Sequence, residues 1–186
     1  MNIQYFFGDF PALDLGDYIL REIVESDAQA YFDYMSQKEM EGYLTKENRP
    51  ENVEKAREEV LYWGSLFPQK RSIYWAIALK DTNEMIGTAG FNLISFPNSR
   101  AEISYDLSPE YWGKGIMVKS INGILKFADV ALELVRIQAT VIIDNERSIN
   151  LLNRCGFKKE GLLEKYEVVE GEHKDYYMYG RVSEAE

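Results

Sequence analysis

Tyr111-Trp112-Gly113-Lys114-Gly115 stands between an alternating run, Arg100–Leu107, and a helical pattern that begins at Ile116. Two glycines at a strand-to-helix junction permit positive φ and let the backbone approach an anion closely. The helix behind them aims its unpaired N–H groups at the same point. Taken alone, the pentapeptide also fits a plain glycine turn with no ligand. The segments C-terminal to it narrow the reading: a strand over Arg136–Ile142, then Asn145-x-x-Ser148, then a helix that stops at Cys155-Gly156-Phe157. A dinucleotide-binding loop falls behind, because Gly113-x-Gly115 runs on into Met117-Val118 and lacks the third glycine of that fingerprint.

Outward from the loop, the chain reads as strands and helices in mixed order. Tyr18–Ile23 is strand-like, and Ser26 with Gln29 offers a capping box for a helix through about Met35. Val53, Ala56, Val60 and Gly64 recur at helical spacing after Pro50. Ser72–Leu79 and Met85–Leu93 flank the turn sequence Asp81-Thr-Asn-Glu84 and predict an antiparallel hairpin. Beyond Gly115, the apolar positions Ile116, Ile121, Ile124, Leu125, Ala128 and Leu132 predict a helix ending near Glu133. A closing hairpin is expected from Phe157 to Val169 and from His173 to Val182, across a Glu170-Gly171 turn. No repeat or linker is visible, so one domain over residues 1–186 is expected.

Composition removes several classes of function. With 46% apolar and 28% charged residues, and no apolar run near the roughly 20 residues a membrane helix needs, the chain reads as soluble. Its start has no basic region before Asp9, which fits no export signal and leads us to expect the cytoplasm. Cys155 is the only cysteine, which rules out an intrachain disulfide and a Cys-rich metal site. The 21 basic and 31 acidic side chains give a formal charge of −10, which disfavours nucleic acid. The same charge steers cations inward, or simply keeps the protein in solution. The lone His173, among Glu172, Lys174 and Asp175, reads as an exposed residue. The aromatic group Tyr5, Phe6, Phe7 and Phe10 fits the core, or the face of a homodimer.

The order of phosphate loop, helix, strand, asparagine-led helix and Gly-Phe stop resembles the acyl-CoA-binding half of the GNAT superfamily of N-acetyltransferases. The resemblance runs from Phe10-Pro11-x-Leu13 to the terminal hairpin. It is nearest the branch that holds ribosomal-protein N-terminal (alanine or serine) and polyamine acetyltransferases. It implies an α/β (α+β) GNAT fold: a central, mixed, mostly antiparallel sheet of about six to seven strands flanked by about four helices. It also implies acetyl-CoA as cosubstrate and no metal. The pyrophosphate would lie over the backbone of Gly113, Lys114, Gly115, Ile116 and Met117, with Lys114 adding charge at the rim. The pantetheine arm would meet main-chain groups of Asp106 and Leu107 and the side chain of Asn145, which is equally suited to cap a helix. Glu110 departs from the pattern, since that position is usually Gln or Arg. Leu152 departs from it too, standing where many members carry a tyrosine acid.

Within that branch, Ser148 matches the serine proposed to protonate the departing thiolate, and Glu167 matches the glutamate proposed as base. The chemistry needs such a pair, because an ammonium must lose a proton before it attacks a thioester. Ser148 also reads as an ordinary polar helix position, and Glu167 as a solvated charge. Glu102 is the reserve base, sharing one strand face with Ser104 and Asp106. The expected activity is acetyl transfer to a primary amine by direct attack in a ternary complex. The acceptor would be a protein N-terminus, such as that of a ribosomal protein, or a small molecule such as a polyamine or antibiotic. A CoA-binding module without turnover is the rival that Glu110 and Leu152 encourage.

Overall fold

The computed structural model describes residues 8–41 and 49–183. Tyr5, Phe6 and Phe7 lie outside the described residues. Phe10 packs edge-on against Phe67 and Trp75, with ring centroids 5.1 and 6.1 Å apart, so it belongs to the core.

Among the described residues, eight strands form one sheet, in the order β1-β2-β3-β4-β5-β6-β8-β7. They are β1 (Leu13–Asp14), β2 (Tyr18–Glu22), β3 (Tyr74–Leu79), β4 (Met85–Ser95), β5 (Arg100–Leu107), β6 (Arg136–Ile142), β7 (Lys158–Val169) and β8 (Glu172–Val182). The α-helices among the described residues are α1 (Ala28–Met35), α2 (Val53–Leu66), α3 (Ile116–Val130) and α4 (Glu146–Arg154). The strand count exceeds the expected six to seven because the two-residue β1 is too short to show a period, yet it pairs with β2. Every pairing is antiparallel except β5 with β6, which α3 joins as a crossover. No helix among the described residues is long and apolar enough to cross a membrane.

Alternation along β3 explains the layers. Trp75 and Ile77 enter one core with Phe91, Ile121 and Ile124, while Tyr74 and Ala76 enter a second with Tyr31, Tyr34, Ala56 and Val60. The first core lies under α3 and the second under α1 and α2. The start of α1 departs from the expected Ser26 and Gln29 capping box. The carboxylate of Asp27 accepts the Val24 N–H at 2.9 Å and is held by Arg21 through two hydrogen bonds of 2.8 Å, while Gln29 donates to Asp33. The box closes two residues earlier, between Val24 and Asp27, because a carboxylate oriented by an arginine accepts an N–H more strongly than a serine hydroxyl does.

Two irregularities shape the middle of the sheet. The parallel pairing of β5 with β6 covers only Arg100↔Arg136, Ala101↔Ile137 and Glu102↔Gln138. Beyond those pairs the two strands part, although β5 stays paired to β4 and β6 to β8. Asn92 is a bulge in β4 opposite this region, and its side chain accepts a hydrogen bond from Ser104 Oγ.

Candidate active site

The parting of β5 and β6 opens a cleft of about 590 Å³ through the sheet. Because side chains alternate along β5, the two faces of the cleft carry different chemistry. Ile103, Tyr105 and Leu107 look toward α3 and α4, whereas Glu102, Ser104 and Asp106 look toward α1. The main-chain edges of residues 103–107 and 139–142 border the gap with no strand laid across it.

On the α3 side the cleft ends at the glycine loop. Gly113 and Gly115 have φ of +75° and +76°, a region costly for any residue with a Cβ. A Cβ built on either would meet no protein atom within 4 Å, so open space lies over both. Gly115 is the N-cap of α3, which places the free N–H groups and positive dipole end of a 15-residue helix beside that space. Ile116 and Met117 turn their side chains into the core, leaving their backbone to the loop. Trp112 is fixed by a 2.7 Å hydrogen bond from its indole N–H to the Leu107 carbonyl, and the Arg147 guanidinium stacks 4.1 Å from its ring. Lys114 holds its ammonium 4.8 Å over the Tyr111 ring. These donors, the open space and the two stacked cations fit an anionic ligand such as a pyrophosphate.

The middle of the cleft is built by α4. Asn145 caps that helix, its side-chain oxygen accepting the Ser148 N–H at 3.1 Å. Ser148 Oγ in turn lies 2.7 Å from the Tyr105 hydroxyl. Burial raises the Tyr105 phenol pKa above its ordinary range. Leu152 is a core residue at 1% exposure and presents nothing to the cleft. Cys155 is buried, and its thiol is pushed up to about 11 by that burial, which favours the neutral thiol over the reactive thiolate.

On the α1 side the cleft is acidic. Asp106 accepts hydrogen bonds from the Tyr34 hydroxyl, the Thr88 N–H and the Thr88 hydroxyl. Its pKa is raised to about 6 by burial, against the opposing pull of those donors. The Asp106 side chain thus serves the α1 face, and its main chain runs along the cleft edge. Glu102 accepts from Gln138 Nε2 at 3.1 Å, its cross-strand partner. Glu167 reaches the cleft from β7, just after an irregular stretch in which Lys165 takes φ of +51°. Its neighbour Tyr176 has its phenol pKa raised by burial and by the nearby Glu167 carboxylate. His173 is exposed. Among the described residues, no group of three or more His, Cys, Asp or Glu side chains is placed to hold a metal ion.

All the residues singled out in the sequence as catalytic therefore line this one cleft. So do the expected cofactor-binding residues apart from Lys114, which stands at its rim over Tyr111. Sequence reasoning missed Tyr105, Arg147 and Tyr34. Tyr105 lies on the apolar face of β5 and reads there as core, and the partners of Arg147 and Tyr34, the Trp112 ring and the Asp106 carboxylate, are set by tertiary contacts.

Comparison with known proteins gives consistent relatives. A family model described as an acetyltransferase (GNAT) domain matches residues 17–158. The uncharacterized N-acetyltransferase YoaA of Bacillus subtilis is 38% identical over 177 residues, which is 95% of this chain and 99% of YoaA. The structure of the ribosomal-protein-S5-alanine acetyltransferase of Vibrio fischeri superposes with a TM-score of 0.83 at 27% identity, covering 94% of this chain and 97% of that one. RimL, a ribosomal L7/L12 alpha-N-protein acetyltransferase solved in complex with coenzyme A, shares the fold with a TM-score of 0.86 at 24% identity, covering 95% of this chain and 100% of RimL.

Proposed function

The chain belongs to the GNAT acetyltransferase family and is an N-acetyltransferase, and from that premise we propose that it uses acetyl-CoA to acetylate a primary amine, with a protein N-terminus as the favoured acceptor. The observation that carries this reading is the two-sided cleft. One side offers backbone donors and open space at Gly113 and Gly115, and the other offers carboxylates. The first suits a diphosphate and the second an ammonium.

Acetyl-CoA supplies an activated thioester and a thiol leaving group. The backbone of residues 113–117 holds the pyrophosphate, the free edge of β5 at Asp106 and Leu107 receives the pantetheine amides, and Asn145 borders the same path. The acceptor enters from the α1 side, where Glu167 removes its proton, directly or through a water, and Glu102 stands beside it as a second carboxylate. Ser148 donates to the sulfur as negative charge develops there. A protein N-terminus is favoured because the Vibrio fischeri relative acts on ribosomal protein S5.

Isothermal titration with acetyl-CoA, followed by thiol release over a panel of N-terminal peptides and polyamines, tests the reading. We expect saturable binding and turnover highest with a peptide. Turnover confined to polyamines would move the acceptor to the small-amine class, and binding without release across the panel would leave a CoA-binding module.

A further inference from the structure

Tyr105 is the one residue of β5 that brings a polar atom to the apolar side of the cleft. Its neighbours on that face, Ile103 and Leu107, are 3% and 7% exposed and serve as core. A phenylalanine would fill the same space, so packing does not explain the hydroxyl. That hydroxyl lies 2.7 Å from Ser148 Oγ, and both residues line the cleft. Ser148 is itself held by its main chain, because its N–H is taken by Asn145.

We propose that Tyr105 is a positioning residue for acetyl transfer: its hydroxyl donates to Ser148 Oγ and so leaves the single Ser148 proton free to point at the departing sulfur. The inference rests on the acetyl-CoA reading of the cleft. Two hydroxyls in contact share one hydrogen bond, and its direction decides which proton faces the cleft. A phenol is the stronger acid and better donor, and an alkyl hydroxyl is the better acceptor, so Tyr105 donates. Burial holds the phenol in its neutral form, which keeps this direction fixed over the working pH range. Tyr105 keeps its proton throughout. As the acceptor nitrogen bonds to the acetyl carbon, the C–S bond breaks and its electron pair goes to sulfur. The nitrogen gives one proton to Glu167, and the thiolate, stabilised by a hydrogen bond from the Ser148 O–H, takes one from solvent, so Ser148 ends with the proton it began with and the exchange is balanced. The same bond ties β5 to α4 across the gap, and Ser148 thereby keeps one place while the donor comes and goes.

The test is a double-mutant cycle with Tyr105→Phe and Ser148→Ala, read as kcat and KM for acetyl-CoA at saturating acceptor. Tyr105→Phe should lower kcat about tenfold and leave KM within about twofold, a smaller loss than the removal of a full acid. In the Ser148→Ala background, adding Tyr105→Phe should change kcat by less than about twofold, because residues acting as one unit are not additive. Ser148→Thr, which keeps the accepting oxygen, should recover at least about tenfold of the turnover that Ser148→Ala loses. A Tyr105→Phe enzyme with wild-type turnover, or two defects that multiply, would overturn the proposal. A loss confined to KM and melting temperature would reduce Tyr105 to a strap. If the phenylalanine variant fails to fold, equal turnover of Ser148→Thr and Ser148→Ala sinks the proposal by itself. Failure of the underlying acetyl-CoA reading has its own signature, a wild-type protein that neither binds acetyl-CoA nor releases thiol.

Discussion

Asp106 is a carboxylate whose three hydrogen bonds all come from neutral donors, Tyr34 and Thr88. Burial lifts its pKa from 3.8 to about 6, so the folded protein binds this proton more tightly than the unfolded chain does. Its contribution to stability is full below about pH 3.8 and is lost as pH rises toward about 6, a span worth on the order of 3 kcal/mol. Asp106→Asn should remove that slope and be at least as stable as wild type at pH 7. Denaturant melts of both proteins at pH 4 and pH 7 check this, and parallel slopes would show that Asp106 titrates normally. At Gly115 an added Cβ would enter open space rather than meet protein, and that space is where the proposed pyrophosphate would lie. Gly115→Ala should cost about 1–2 kcal/mol from its left-handed backbone and also weaken acetyl-CoA binding in titration. The glycines were legible in the sequence because positive φ leaves few alternatives. Tyr105 was not, since alternation alone assigns it to an apolar face.

Two helices with the same cap separate structure from binding. Asn52 accepts the Lys55 N–H at 2.9 Å and starts α2, and Asn145 accepts the Ser148 N–H and starts α4 within the cleft. Either substitution to alanine should cost about 0.5–2 kcal/mol of stability. Only Asn145→Ala should also weaken acetyl-CoA binding, and equal affinities in the two variants would assign Asn145 to capping alone. The helices and hairpins were readable because their apolar periods run over many residues: Val53, Ala56 and Val60 mark α2, and the Asp81 to Glu84 turn marks the hairpin of β3 and β4. The α1 cap was not readable, because Asp27 is turned back onto the Val24 N–H while held by Arg21 of β2. β1 escaped notice because its two residues form a strand only by pairing with β2.

At the scale of the molecule, the formal charge of −10 surrounds a cleft whose α1 mouth is also acidic. A cationic acceptor should be drawn in, so its KM should rise as salt is increased from about 50 to 300 mM, where the screening length shortens. A KM indifferent to salt would leave the acidity as a solubility device. The succession of strands along the chain and the two hairpins were accessible from the sequence, but the parting of β5 and β6 was not, since residues 103–107 and 139–142 look like ordinary strand. That parting has a kinetic signature. In a strand, alternate amides face each neighbour, so half of those in residues 104–107 and 139–142 face the gap rather than a ladder partner. In heavy water they should take up deuterium well ahead of the other amides on the same two strands, drawing a fast stripe through the most protected part of the sheet. A donor whose own amides bridge that gap would act as the missing strand, and the stripe should fade when it binds.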